Sequence, residues 1–218
     1  MTALSTDVSD RRSLWGAVLG VPAPAERLAT FRIALGIFTL SYLLIRLPVF
    51  VALGDRPIGD FELVGLLAPL ASPPAAWIVY AALALTIVGA AATAVGWRHR
   101  IAGPVAAVGM LLLATLRGSW GQMLHFENLI VLHLLIVAFA PAADAWSLDA
   151  RRLDADSAAD DSKVEPSVRY GWPLSLAGLV TAITYVIAGI AKLRYGGLDW
   201  VVGDTLRNHI AYSALDST

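Results

Sequence analysis

The 218-residue chain contains no cysteine. That excludes disulfides, thiolate metal sites and cysteine nucleophiles, and leaves the compartment open. Charge is scarce too. Asp, Glu, Lys and Arg make up only 15% of the residues, and the formal net charge is -1. No basic block offers a footing for nucleic acid, so none is expected as a partner. No glycine-rich phosphate loop follows a strand pattern, and no Gly-x-Ser-x-Gly elbow presents a nucleophilic serine. The His-Glu-x-x-His spacing of a metal site is missing, and no metal is expected.

What the chain has instead is apolar length. Hydrophobic residues make up 57% of it, in long runs with the charges gathered between them. That pattern belongs to an integral membrane protein, since a helix needs about 20 apolar residues to cross a bilayer. The expected fold is all-α: a polytopic bundle of about five transmembrane helices plus short interfacial helices. The runs at 28–53, 75–95, 101–116, 126–140 and 172–195 are the spans. Residues 1–26 form a polar N-terminal arm, and 27–218 a single transmembrane domain. The apolar stretch 14–21 is too short to span or to serve as a signal core, and 13–19 reads as an interfacial helix. Residues 61–70 are likewise apolar but short, an interfacial or re-entrant piece. Residues 150–169 are charge-dense without apolar periodicity and read as a mobile loop.

Orientation follows from the cations. With the N-terminus inside, the inner segments hold Arg11, Arg12, Arg27, Arg32, Arg98, Arg100, Arg151, Arg152, Lys163 and Arg169. The outer ones hold Arg56, Arg117, Arg194 and Arg207. The positive-inside rule then puts the N-terminus and the 150–169 loop in the cytoplasm. The localisation expected is a cell membrane, of bacterial plasma-membrane type.

Polar residues inside spans carry the functional question. Arg32 reads as a snorkelling anchor, and Arg46 as either an interfacial residue or a holder of an anionic group. Pro48 is expected to kink the first span. His125, Glu127 and Asn128 open the fourth span, and Glu127 is positioned to pair with Arg117 across the preceding corner. His133 lies about 80° around that helix from His125. Gly89 and Ala92 form a small-residue face for close helix packing. In the fifth span Tyr185, Ala188, Gly189 and Lys192 share one face at i, i+3, i+4 and i+7. The small residues of that face invite a neighbouring helix, and Gly196-Gly197 stops the helix just beyond. Lys192 has two readings: a cation snorkelling to the headgroups, or a buried amine with a lowered pKa.

The segment Ala188-Gly-Ile-Ala-Lys192-Leu, followed by Gly197-Leu-Asp-Trp200-Val-Val-Gly203, resembles a stretch of the vitamin K-dependent gamma-carboxylases. It also resembles the related horizontally transferred transmembrane (HTTM) domain proteins. The shared pattern is Tyr-x-x-Ala-Gly-x-x-Lys-Leu and then Trp-x-x-Gly, met here by Tyr185, Ala188, Gly189, Lys192, Leu193, Trp200 and Gly203. Phe31-Arg32-Ile-Ala-Leu-Gly36, the Asn128 corner and Trp146-Ser-Leu-Asp149 resemble further parts of the family. The resemblance implies that Lys192 is a general base acting on a reduced quinone of vitamin K type, with His125 as its helper. Arg46, Tyr185, Trp200 and Asn128 are then the candidate substrate-binding residues. Ala191 departs from the vertebrate enzymes, which carry a second lysine there. Some short HTTM proteins resemble the sporulation-delaying protein B group, which implies another role: a non-catalytic accessory in maturing or exporting a peptide. The expected partners are the lipid bilayer and either a quinone or a peptide substrate. The oligomeric state stays open.

Overall fold

The computed structural model describes residues 14–70, 72–121, 125–156, 165–197 and 207–208. Among them the architecture is all-helical. The helices are α1 (Leu14–Leu19), α2 (Ala25–Ile45), α3 (Leu47–Ala52), α4 (Ala76–Val95), α5 (His99–Gly118), α6 (His125–Phe139), α7 (Leu148–Asp156) and α8 (Val168–Gly196). Four of them, α2, α4, α5 and α8, are long and apolar enough to cross a membrane. The fourth expected span is α6, which has 15 residues. At 1.5 Å per residue it reaches about 22 Å, less than the roughly 30 Å hydrocarbon core. Among its described residues the connector between α3 and α4 holds single 3-10 turns, at Ile58–Asp60 and Gly65–Leu67. Its apolar residues therefore form no span.

Local chemistry sets the helix ends. Where the sequence suggests a kink at Pro48, the helix stops altogether. Arg46 leaves the helical region (φ -93, ψ 10) and α3 restarts with the proline in its first turn. Proline has no N–H to continue the ladder of the preceding turn, so it fits best at a new start. α4 closes on Gly96 in the left-handed conformation (φ 65, ψ 43). A side chain there would be strained and would also press on Arg32, whose Nη1 lies 2.9 Å from an ideal Cβ. The charge-dense segment after Asp149 is not all loop: α7 occupies its start, and Ser167 near its end bridges to Ala23 by paired backbone bonds. Residues 157–164 lie outside the described part.

The chain divides into two compact units, Met1–Ala177 and Gly178–Thr218. In the first, α4 packs on α5, α5 on α6, and α2 on both α4 and α6. Adjacent helices run antiparallel, as the positions of closest approach show. Gly36 faces Ala94, Gly89 faces Ala106, and Gly103 faces Ala138; an added Cβ would come within 2.7, 3.0 and 3.0 Å of those backbones. Small residues permit this approach, and van der Waals packing then holds the helices where lipid supplies no hydrophobic drive. Gly89 thus has the packing role its sequence neighbourhood predicts. Leu28, Leu43, Phe50, Met110, Leu113 and Val137 fill the core, all fully buried.

The second unit begins inside α8. The helix stops at Gly196, and Gly197 takes the left-handed conformation (φ +56), as the Gly196-Gly197 pair predicts. Within that unit a Cβ on Gly178 or Gly189 would meet nothing within 4 Å. In the first unit α8 has its own close approach at Gly171, where an added Cβ would press on the Val21 backbone.

Candidate functional site

Two buried polar clusters occupy opposite ends of the bundle in the first unit. Both are anchored on α2, through Tyr42 and Arg32. Ten residues separate these anchors, or about 15 Å along the helix.

The cluster at the C-terminal end of α2 joins α2, α5 and α6. Arg117, in the last turn of α5, forms an ion pair with Glu127 of α6 through Nη1 and Oε1 at 2.7 Å. Their side chains are only 6% and 2% exposed. The same Arg117 Nη1 donates to the Tyr42 hydroxyl at 3.1 Å, and that hydroxyl donates to Glu127 Oε1. Each member thus bonds to both others. Aromatic rings wall the triangle: Tyr42 meets Phe50 and Phe126 edge-on at 6.0 and 5.4 Å, and the Arg117 guanidinium lies 6.0 Å from the Phe50 ring. The antiparallel α5–α6 turn brings Arg117 and Glu127 level, as the sequence reading expects. A dry, apolar wall strengthens each charge–charge and charge–dipole term and makes any unpaired member costly.

The cluster at the N-terminal end of α2 corrects the reading of Arg32. It is not a snorkelling anchor: it is fully buried. Its guanidinium donates to the carbonyls of Ala142 (2.6 Å), Ala145 (3.2 Å) and Trp146 (2.7 Å). These carbonyls belong to the chain leaving α6, where helix-type bonding has ended and acceptors are free. Arg32 ties that exit to α2. Asp149 completes the knot by accepting from the backbone N–H of Arg98 and of His99, both at 2.8 Å, at the start of α5. Ser147 caps α7 through its Oγ, which accepts from Ala150 N at 2.8 Å. Two non-glycine residues here are left-handed, Arg98 (φ 45) and Trp146 (φ 47). Such backbone persists only where the surroundings over-determine it.

The candidate residues named from the sequence fall as follows. His125 opens α6, one turn or less from Glu127; its side chain lies outside the described part. Asn128 is exposed on α6. Arg46 is exposed and caps α2, one turn beyond Tyr42. These three share the end of the bundle that holds the Tyr42–Arg117–Glu127 triangle. His133 contributes to packing: its Nδ1 lies 2.6 Å from the Leu129 carbonyl and its ring meets Phe31 edge-on. Lys192 and Tyr185 lie on α8 in the second unit, both exposed, seven residues apart. Trp200 lies outside the described residues. The sequence reading missed Tyr42, His99 and Asp149 as network members. Only Asp149 had a signal, within the Trp146–Asp149 stretch.

Comparison with known proteins gives one positive finding. A family model described as HTTM domain matches residues 21–216, nearly the whole chain. No curated protein and no solved structure matches it.

Proposed function

The chain belongs to the HTTM domain family, and from that premise we propose that it handles a lipid-soluble substrate of quinone type within a cell membrane, with Lys192 as general base. The observation that carries this reading is an amine set in an apolar helix. Lys192 sits one turn before the end of the 29-residue α8, and 28 residues of that helix form a candidate span. An ionisable residue in such a segment marks a functional position more often than one in a loop. The match of Tyr185, Ala188, Gly189, Lys192 and Leu193 to the carboxylase-like pattern supports the same role. The chemistry asked of it is one proton transfer. The neutral amine takes the phenolic proton of a hydroquinone, leaving the hydroquinone anion and a lysine ammonium. Tyr185, on the same face of α8 as Lys192, is the supporting residue of this proposal within the second unit. In the same reading the N-terminus faces the cytoplasm.

A second reading, a non-catalytic accessory for maturing or exporting a peptide, rests on a different observation. Tyr42, Arg117 and Glu127 are consumed by one another, so their chemistry is spent on holding helices together. One experiment separates the two. Purified protein in proteoliposomes is given vitamin K hydroquinone, and its consumption under air is followed. The base reading expects turnover in the wild type and its loss in both Lys192→Arg and Lys192→Ala, because a guanidinium stays protonated. Full turnover in Lys192→Arg would remove the base assignment. No turnover in the wild type would leave the accessory reading.

A further inference from the structure

The end of the bundle that holds the Arg32 knot also opens a pocket of ≈ 830 Å³, and nothing above gives it an occupant. Four guanidiniums line it: Arg98, Arg100, Arg152 and Arg169. Two carboxylates are present, and both are engaged. Asp149 accepts the backbone N–H groups of Arg98 and His99, while Asp144 accepts from the Tyr170 hydroxyl and pairs with Arg169 at 3.0 Å. Positive charge is left in excess. Apolar side chains line it as well. Ile101 and Phe139 line the same pocket and are 63% and 77% exposed. The pocket is therefore lined by cationic and apolar side chains together.

Its position fits that mixed lining. It lies where α5 begins and α6 ends, the level at which spanning helices leave the hydrocarbon for the headgroups. His99 in its wall is 4% exposed. His99 Nε2 faces the Val137 carbonyl at 3.1 Å, which makes it the donor, and Nδ1 has no hydrogen-bond partner among the described residues. In that tautomer Nδ1 is a lone-pair acceptor, so the partner it calls for is a donor such as a headgroup hydroxyl or water, while the arginines are left to meet the phosphate. We propose that this pocket seats the headgroup phosphate of an anionic phospholipid, with the acyl chains along Ile101 and Phe139. Basic pockets between transmembrane helices recognise such headgroups through charge and guanidinium geometry. A soluble anion would use the arginines and leave Ile101 and Phe139 idle.

The test compares lipids of matched chains. Detergent-purified protein is incubated with phosphatidylglycerol or phosphatidylcholine, and bound lipid is counted by native mass spectrometry. Phosphatidylglycerol is expected to be retained in preference. Arg100→Gln/Arg152→Gln, which spares the Arg169–Asp144 pair, should cut that preference by about tenfold or more. Arg100→Lys/Arg152→Lys should keep most of it, and reports on the charge requirement should the neutral variant fold poorly. Equal retention of the two lipids by the wild type would overturn the proposal. So would a preference that the Gln variant leaves intact. A thermal shift with inorganic phosphate equal to that with phosphatidylglycerol would assign the pocket to a soluble anion and overturn the lipid assignment.

Discussion

Glu127 is 2% exposed, a burial that is tolerable for a carboxyl group only because Arg117 and Tyr42 stand beside it. Desolvating a carboxylate costs more than any one hydrogen bond returns, so the three residues stand or fall together. Glu127→Leu leaves the Arg117 guanidinium buried without its carboxylate, and Arg117→Met does the converse. Each should lower stability by about 3–5 kcal/mol. The double variant should be more stable than either single one, because no uncompensated charge remains. Tyr42→Phe keeps the ion pair and should cost less, about 1.5–3 kcal/mol. Thermal unfolding of the four variants in detergent checks the order. A double variant no better than the worse single one would mean that the pair is not coupled.

At the level of elements, glycine decides how closely helices meet. Gly36 of α2 faces the Ala94 backbone, where a Cβ would come within 2.7 Å of both Cα and N. Backbone cannot yield as a side-chain tip can. Gly36→Ala should therefore separate α2 from α4 and cost about 1–3 kcal/mol. Gly118 at the end of α5 is the control, since its added Cβ would meet only Val64 Cγ2 at an ordinary 3.7 Å. Gly118→Ala should change the unfolding temperature little. Equal losses in the two variants would show that the α2–α4 approach is not limiting.

For the molecule as a whole, the knots at the two bundle ends bear on topology. The Arg32 knot holds the start of α2, the start of α5 and the exit of α6 together, and the Tyr42 triangle holds the opposite ends. Arg32 and Arg117 are buried inside these knots, so they do not count as loop cations. Removing both from the cation count still leaves nine against three, and the bias toward a cytoplasmic N-terminus stands. Cysteines placed singly at Gly59, in the α3–α4 connector, and at Ser157, after α7, should label from opposite sides of intact cells. Labelling of Gly59→Cys only after permeabilisation would reverse the orientation.

Apolar run length alone determined that this is a helical membrane protein, and roughly where its helices lie, because the bilayer imposes one length scale on every span. The helix stop at Gly196-Gly197 was equally legible, being local backbone chemistry. The Arg117–Glu127 pair was legible too, since ten residues around one tight corner leave few arrangements. Tertiary structure decided what sequence distance hides. Arg32 looks like any interfacial arginine until the carbonyls of Ala142, Ala145 and Trp146, more than 100 residues away, are brought to it. Which glycines sit at a tight helix contact is likewise invisible along the chain. Gly36 and Gly118 both sit in long apolar helices, and only the placement of a neighbour such as Ala94 tells one role from the other.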